Sequence, residues 1–224
     1  MGMRGGPQTL GSNPEQADRC VPDAGDVYAA LLAHAPDPIE TLSIAFGGVI
    51  AAAYAARQRP LIRGLSEAEF QSLIARYFPG ALLDNGADAC SSSVVDEEAE
   101  DLFALLCEYR CDERPETAWL ARAIASAAMR DNHLWQDMGL PDRAFLSALM
   151  RDYFPGLSAR NGGDMKWKKF FYRQLCERAG VPICKSPHCA ECVDFSVCFG
   201  PEVGDPLLSG AASSRWPDGR KPAG

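Results

Sequence analysis

Basic residues are scarce in this chain of 224 residues, which has 22 Lys and Arg against 30 Asp and Glu and a formal net charge of −8. A general nucleic-acid-binding protein needs a basic excess to pair with phosphates, so this class is excluded. Spanning a bilayer takes about 20 consecutive apolar residues. The longest apolar run, from Thr41 to Ala56, is shorter than that and is bounded by charged residues. We expect this run to form a buried helix and predict no membrane association.

Several common signatures are also missing. The residues from Met1 to Leu10 are rich in glycine and lack the apolar core of a secretory signal. There is no nucleophile elbow, no HExxH motif and no P-loop, so nothing indicates a hydrolase. The nine cysteines are an odd number and cannot all pair in internal disulfides. We therefore predict a protein of the reducing cytoplasm, where clustered cysteines indicate metal binding.

Four of these cysteines, Cys184, Cys189, Cys192 and Cys198, lie within fifteen residues in the pattern C-x4-C-x2-C-x5-C. Thiolates this close repel one another unless a cation holds them. The first three have the spacing of plant-type iron–sulfur proteins, whereas structural zinc sites usually separate two cysteine pairs by a dozen or more residues. We therefore favour an iron–sulfur cluster over zinc. His188 is either an additional metal ligand or a residue just outside the coordination sphere.

A basic segment leads into the cysteine cluster. Residues 164–178 contain five bases and two acids, and their apolar residues recur at helical spacing. This pattern predicts a helix with one face in the core and Lys166, Lys169 and Arg173 together on another face. The position of these bases beside a polythiolate site suggests an electrostatic role. They could stabilise an anionic cluster, attract an oxyanion or dock an acidic partner.

Two stretches of the chain resemble each other. Residues 64–80 and 139–156 both begin with Gly-Leu and end with Tyr-Phe-Pro-Gly, and an asparagine follows each at the same distance. We infer a tandem duplication of a three-helix unit, at roughly 41–110 and 117–179. The predicted fold is therefore all-α, with about six helices in two repeats followed by the four-cysteine loop.

The domain boundaries follow from composition. Residues 1–39 and 201–224 are rich in Gly, Pro and polar residues, so we expect a disordered N-terminal tail and linker and a disordered C-terminal tail. The single helical domain then occupies residues 40–200. Ser66 and Glu69 have the spacing of a capping box and predict the start of a helix.

Other candidate residues lie outside the cysteine loop. Residues 84–116 contain eleven acids and two arginines, a pattern typical of a solvated surface. Cys107 and Cys111 lie one helical turn apart and either share a metal or are inert, partly buried thiols. His133 is either structural or part of the lining of a site.

Three motifs carry a family resemblance. The segment Asp164-Met-Lys-Trp-Lys-Lys-Phe-Phe-Tyr-Arg, followed by the cysteine motif and Phe199-Gly200, resembles the nitrogen-fixation family NifQ. His133-Leu-Trp-Gln-Asp-Met-Gly-Leu140 and Tyr153-Phe-Pro155 fit the same family.

The resemblance implies a carrier rather than a turnover enzyme. Such a carrier supplies molybdenum, taken from molybdate, to the iron–molybdenum cofactor of nitrogenase, and its donor is a molybdenum–iron–sulfur cluster. The implied partners are the cofactor-assembly scaffold and the nitrogenase iron protein. By matching positions, the implied cluster ligands are Cys184, Cys189, Cys192 and Cys198. Two alternatives remain open: a zinc-stabilised helical interaction module and a small iron–sulfur electron carrier.

Overall fold

The computed structural model describes residues 23–86, 96–181, 189, 192–206 and 208, and all regular secondary structure in these residues is helical. The helices are α1 (Ala24–His34), α2 (Thr41–Ala55), α3 (Glu67–Tyr77), α4 (Glu97–Glu108), α5 (Pro115–Ala128), α6 (Leu134–Asp137), α7 (Arg143–Tyr153), α8 (Pro155–Arg160), α9 (Trp167–Arg178) and α10 (Phe195–Phe199). None of them is long and apolar enough to cross a membrane. The predicted all-α class is confirmed for the described residues.

The predicted buried helix is α2, and it lies at the centre of the body. Its residues from Leu42 to Ala53 are all buried, and it packs against α1 and α5. Small residues allow this close packing. A methyl group added at Gly48 would lie only 2.4 Å from the carbonyl oxygen of Met138, so this position requires glycine.

The capping box predicted at Ser66 is confirmed at the start of α3. The backbone N–H of Glu69 donates to the Ser66 hydroxyl at 3.3 Å, and the Glu69 carboxylate accepts from the Ser66 N–H at 2.9 Å. These bonds satisfy backbone donors that the first helical turn leaves without intrahelical partners. The helix then buries Phe70, Leu73 and Tyr77 in the core, as their spacing predicts.

The predicted N-terminal disorder is wrong for residues 23–39, which contain α1. The Asp23 side chain caps this helix, and Tyr28 and Leu31 are buried against α2. Of the predicted C-terminal tail, the structure describes residues 201–206, which form no helix and are mostly exposed, and Leu208, which is buried in a small cluster with Tyr28 and Ala51. The predicted C-terminal disorder stays a prediction. A few apolar contacts hold α1 on the body, and the Pro-rich and polar surroundings of this helix hide those contacts from compositional reasoning.

The described residues form ten helices, whereas about six were predicted. The described residues between 41 and 179 form six helices of eleven or more residues, three in each proposed unit. The four other described helices are α1 and the short α6, α8 and α10.

The proposed repeats share a helix and its end but then diverge. Both α3 and α7 have eleven residues and end at Tyr-Phe, where Phe78 (φ −138°, ψ 57°) and Phe154 (φ −133°, ψ 56°) have nearly the same backbone angles. Beyond this point the first unit forms no helix through residue 86, whereas Pro155 opens α8. The duplication therefore stays a prediction.

Candidate cysteine site

The described part of the cysteine segment folds back along α9. The backbone N–H of Lys166, at the start of α9, donates to the carbonyl of Cys198 at 2.8 Å. The Lys166 ammonium also donates to the carbonyl of Ser196 at 3.4 Å. Farther along the helix, Arg173 donates to the sulfur of Cys189 at 3.4 Å. The segment therefore runs antiparallel to α9 and places cysteines beside its basic residues.

Cys189 and Cys192 belong to one tight turn. The N–H of Cys192 donates to the carbonyl of Cys189 at 3.1 Å, and the N–H of Phe195 donates to the carbonyl of Cys192 at 3.0 Å. These successive turns lead directly into α10. Both cysteines are only partly buried, so their sulfurs have access to the protein surface.

Cys198 lies within α10 and is packed against the hydrophobic core. The ring of Phe199 stacks on that of Phe195 with a centroid separation of 4.7 Å. The stacking lies within α10, whereas the packing of Phe199 and Cys198 against the core and the bond from Lys166 fix the short helix on the body. Cys198 therefore has a firmer support than the turn that contains Cys189 and Cys192.

Two of the predicted ligands, Cys184 and His188, lie outside the described residues. Among the residues that the structure does describe, no group of three or more His, Cys, Asp or Glu side chains is close enough to hold a metal ion. The predicted four-cysteine ligand set is therefore not tested by the geometry.

The three bases predicted to share one face of α9 have different surroundings. Arg173 donates to Glu177 at 2.7 Å as well as to Cys189, and these bonds raise the pKa of its guanidinium, the bond to Glu177 most strongly. Lys166 contacts the segment through Ser196. Lys169 is exposed to solvent. Two of the three predicted bases thus touch the cysteine segment.

A buried ion network fixes the start of α9 and was missed by sequence reasoning. Asp137 is fully buried, and its carboxylate accepts from Lys168 at 2.6 Å and from Asn132 at 3.0 Å. Arg130 donates to the Asp137 carbonyl at 3.2 Å, and burial lowers the pKa of Arg130 although Asp137 opposes the shift. The available signal was an acid inside the apolar stretch Leu134 to Leu140.

A second ion pair connects the two ends of the site. Arg143 donates to the side chain of Asp164 at 2.7 Å, just before α9, and to Glu202 at 3.0 Å, just after α10. The Glu202 side chain is only 4% exposed. The entry to α9 and the exit from α10 are therefore held by one guanidinium.

A groove of about 530 Å³ separates α6, the first turn of α9 and the residues around α10. Its lining includes His133, Lys166, Lys169, Val197, Glu202 and Val203. Nδ1 of His133 lies 3.7 Å from the Glu202 carboxylate. His133 therefore precedes α6 and also lines a surface groove. Whether it is structural or part of a site stays a prediction.

Cys107 lies in the last turn of α4, which ends at Glu108, whereas Cys111 follows the helix and is exposed, so the prediction that they lie one helical turn apart is wrong. Burial raises the pKa of the Cys107 thiol, with Arg110 opposing the shift. Burial and the neighbouring Asp112 raise the pKa of the Cys111 thiol. Because metal ligands are thiolates, these shifts favour the interpretation that both cysteines are inert.

The fold and the site define a class of protein: a helical body that presents surface cysteines against a basic helix. Residues 45–200 match the model of one family, NifQ. The chain belongs to the NifQ family, as the sequence motifs predicted. Membership implies a role in nitrogen fixation.

Relatives from several bacteria agree with this assignment. Protein NifQ of Azotobacter vinelandii is 39% identical over 156 residues, which cover 64% of this chain and 80% of the relative. Protein NifQ of Rhodobacter capsulatus is 39% identical over 140 residues, or 62% and 76% of the two chains. Protein NifQ of Klebsiella pneumoniae is 45% identical over 105 residues, or 46% and 61%. No solved structure matches the chain.

Proposed function

We propose that this protein is a carrier that delivers molybdenum for the iron–molybdenum cofactor of nitrogenase. Its cargo in this proposal is a molybdenum–iron–sulfur cluster bound by Cys184, Cys189, Cys192 and Cys198, and molybdate is the source of molybdenum. Membership of the NifQ family supports the role in cofactor biosynthesis. The observation that supports the site best is the contact of Arg173 with Cys189, in a turn that also contains Cys192.

The residue types suit this cargo. Soft thiolates bind iron–sulfur clusters, and molybdenum in such a cluster is bound through sulfide. A cubane with three irons and one molybdenum needs one thiolate for each iron. Three cysteines then suffice, and the fourth cysteine or His188 binds the molybdenum weakly enough to release it.

The basic face of α9 supplies the charge balance that an anionic cluster needs. The chain as a whole has a net charge of −8, which disfavours another anion. Arg173 donates to Cys189, and the Lys166 ammonium donates to a carbonyl of the same segment. The bond from Arg173 is a charge-assisted hydrogen bond to sulfur, and Lys166 adds a second positive charge beside the segment.

The proposed compartment and partners are those that the sequence predicts. The carrier works in the cytoplasm, does not turn over a substrate, and hands its cargo to the cofactor-assembly scaffold with the nitrogenase iron protein. The helical body made of two tandem units serves as the support for the four-cysteine loop.

The experiment that tests the proposal is anaerobic purification after growth with molybdate, followed by cofactor synthesis with purified scaffold. We expect brown protein that contains iron, sulfide and molybdenum and that loses molybdenum to the scaffold. Stoichiometric zinc without sulfide would identify the interaction module instead. A cluster that keeps all its metal in the presence of the scaffold would identify an electron carrier.

A further inference from the structure

Exposed apolar side chains concentrate at the cysteine end of the molecule. Six of the eight large hydrophobic residues that are exposed in the described part of the chain lie between residues 172 and 203. They are Tyr172, Val181, Val193, Phe195, Val197 and Val203. Because exposed apolar side chains that cluster mark interaction surfaces, this end of the molecule is the place to look for a partner.

Two of these residues, Val197 and Val203, line the 530 Å³ groove beside α9, together with Lys166 and Lys169. Val203 is 77% exposed, and Val193, four residues before Val197, is 97% exposed. The groove therefore has apolar side chains, Val197 and Val203, and basic side chains, Lys166 and Lys169, in its lining. Cys192 and Cys198 neighbour Val193 and Val197 in sequence, so this apolar part adjoins the cysteine site.

Most of the other charges that line the groove are satisfied within the protein. The ammonium of Lys168 bonds to buried Asp137, and Glu202 bonds to Arg143. Of the remaining charged residues in the lining, the two lysines Lys166 and Lys169 outnumber the one acid, Asp131.

We propose that the protein that accepts the cargo docks in this groove through an acidic surface segment that also carries apolar side chains. Acidic groups pair with Lys166 and Lys169, and apolar groups pack on Val197 and Val203. The inference rests on the proposed function, because a cluster can pass directly to an acceptor only if the two proteins meet at the cysteines.

The test measures the affinity of purified assembly scaffold for four variants, each in cargo-free and loaded form, at low and high ionic strength. Lys169→Glu and Val203→Asp alter the groove. Arg151→Glu and Leu82→Asp are the matched controls, because both residues are exposed and lie outside the groove.

We expect each groove variant to weaken binding roughly tenfold, and each control by less than about twofold. The effect of Lys169→Glu should shrink at high salt, because ions screen exposed charges. Iron and molybdenum per chain should match the unmodified protein. Unchanged binding by both groove variants would overturn the docking site, as would failure of the unmodified protein to bind the scaffold. Absence of molybdenum from the unmodified protein would instead overturn the proposed function, and the cargo-free measurements would still test the groove.

Discussion

Replacing Asp137 by Asn should destabilise the protein strongly. Asp137 is fully buried, and its carboxylate accepts a bond from the Lys168 ammonium at 2.6 Å. The Arg130 guanidinium also lies 3.8 Å from this carboxylate. Both basic side chains are only 17% exposed, so water cannot replace the lost charge effectively.

The expected cost follows from leaving buried cations without their anion. Removing one partner of a buried ion pair typically costs about 3–5 kcal/mol. For a domain of this size, the loss corresponds to a decrease of roughly 6–20 °C in Tm. Lys168→Met combined with Asp137→Asn should cost less than the sum of the two single changes, because no ammonium then remains unpaired beside the amide.

Urea unfolding of the cargo-free protein, followed by far-UV circular dichroism, measures this cost. The matched control is Asp152→Asn. Asp152 is 62% exposed and lies 3.6 Å from Arg151, so this change should cost less than about 1 kcal/mol. If Asp137→Asn costs no more than Asp152→Asn, the buried network does not fix the start of α9.

Three further predictions concern titration and metal retention. Thr117 donates a hydrogen bond to Asp112 and, together with Arg114, lowers the pKa of this carboxyl from 3.8 to about 2. The carboxylate therefore stabilises the folded protein fully at pH values above 3.8, and this stabilisation is lost as the pH falls through about 2. An NMR titration should show this pKa, and Thr117→Val should raise it towards 3.8; equal values in both proteins would contradict the assigned cause. Burial raises the pKa of Cys107, so iodoacetamide at pH 8 should modify it more slowly in folded than in unfolded protein, as mass spectrometry can measure. Arg173→Gln should lower iron retention on exposure to a chelator without lowering Tm, and retention equal to that of unmodified protein would show that the guanidinium does not support the cluster.

Local patterns in the sequence predicted the helices well. The capping box at Ser66 and the apolar spacing in α3 specify that helix without tertiary information, because the interactions lie within one or two turns. The small-residue run likewise predicted the buried α2. In each case the residues that determine the local structure are close together in the sequence.

Long-range ion pairs could not be predicted from the same patterns. Asp137 and Lys168 are 31 residues apart, and Arg143 and Glu202 are in segments assigned to different parts of the fold. A lysine in a basic helix is normally read as solvated, so nothing in the spacing distinguishes Lys168 from Lys169. Only the ion pair with Asp137 shows that the ammonium of Lys168 is buried, whereas Lys169 is exposed.

The candidate site was predicted in part. The structure places Arg173 and Lys166 against the segment that contains Cys189 and Cys198, as the basic face adjoining the cysteine motif suggested. The groove lined by Val197 and Val203 was not predicted, because the segment after Gly200 was read as disordered. Its exposed valines are informative only once their neighbours are known.

The claim that Cys189 and Cys192 hold the cargo is tested most directly by metal and sulfide analysis of two double variants purified anaerobically after growth with molybdate. Cys189→Ala with Cys192→Ala should remove nearly all iron, sulfide and molybdenum, because adjacent sulfurs of one turn are lost together. Cys107→Ala with Cys111→Ala should retain the metal content of the unmodified protein. Loss of metal from the Cys107 and Cys111 variant, with retention in the Cys189 and Cys192 variant, would contradict the placement of the site.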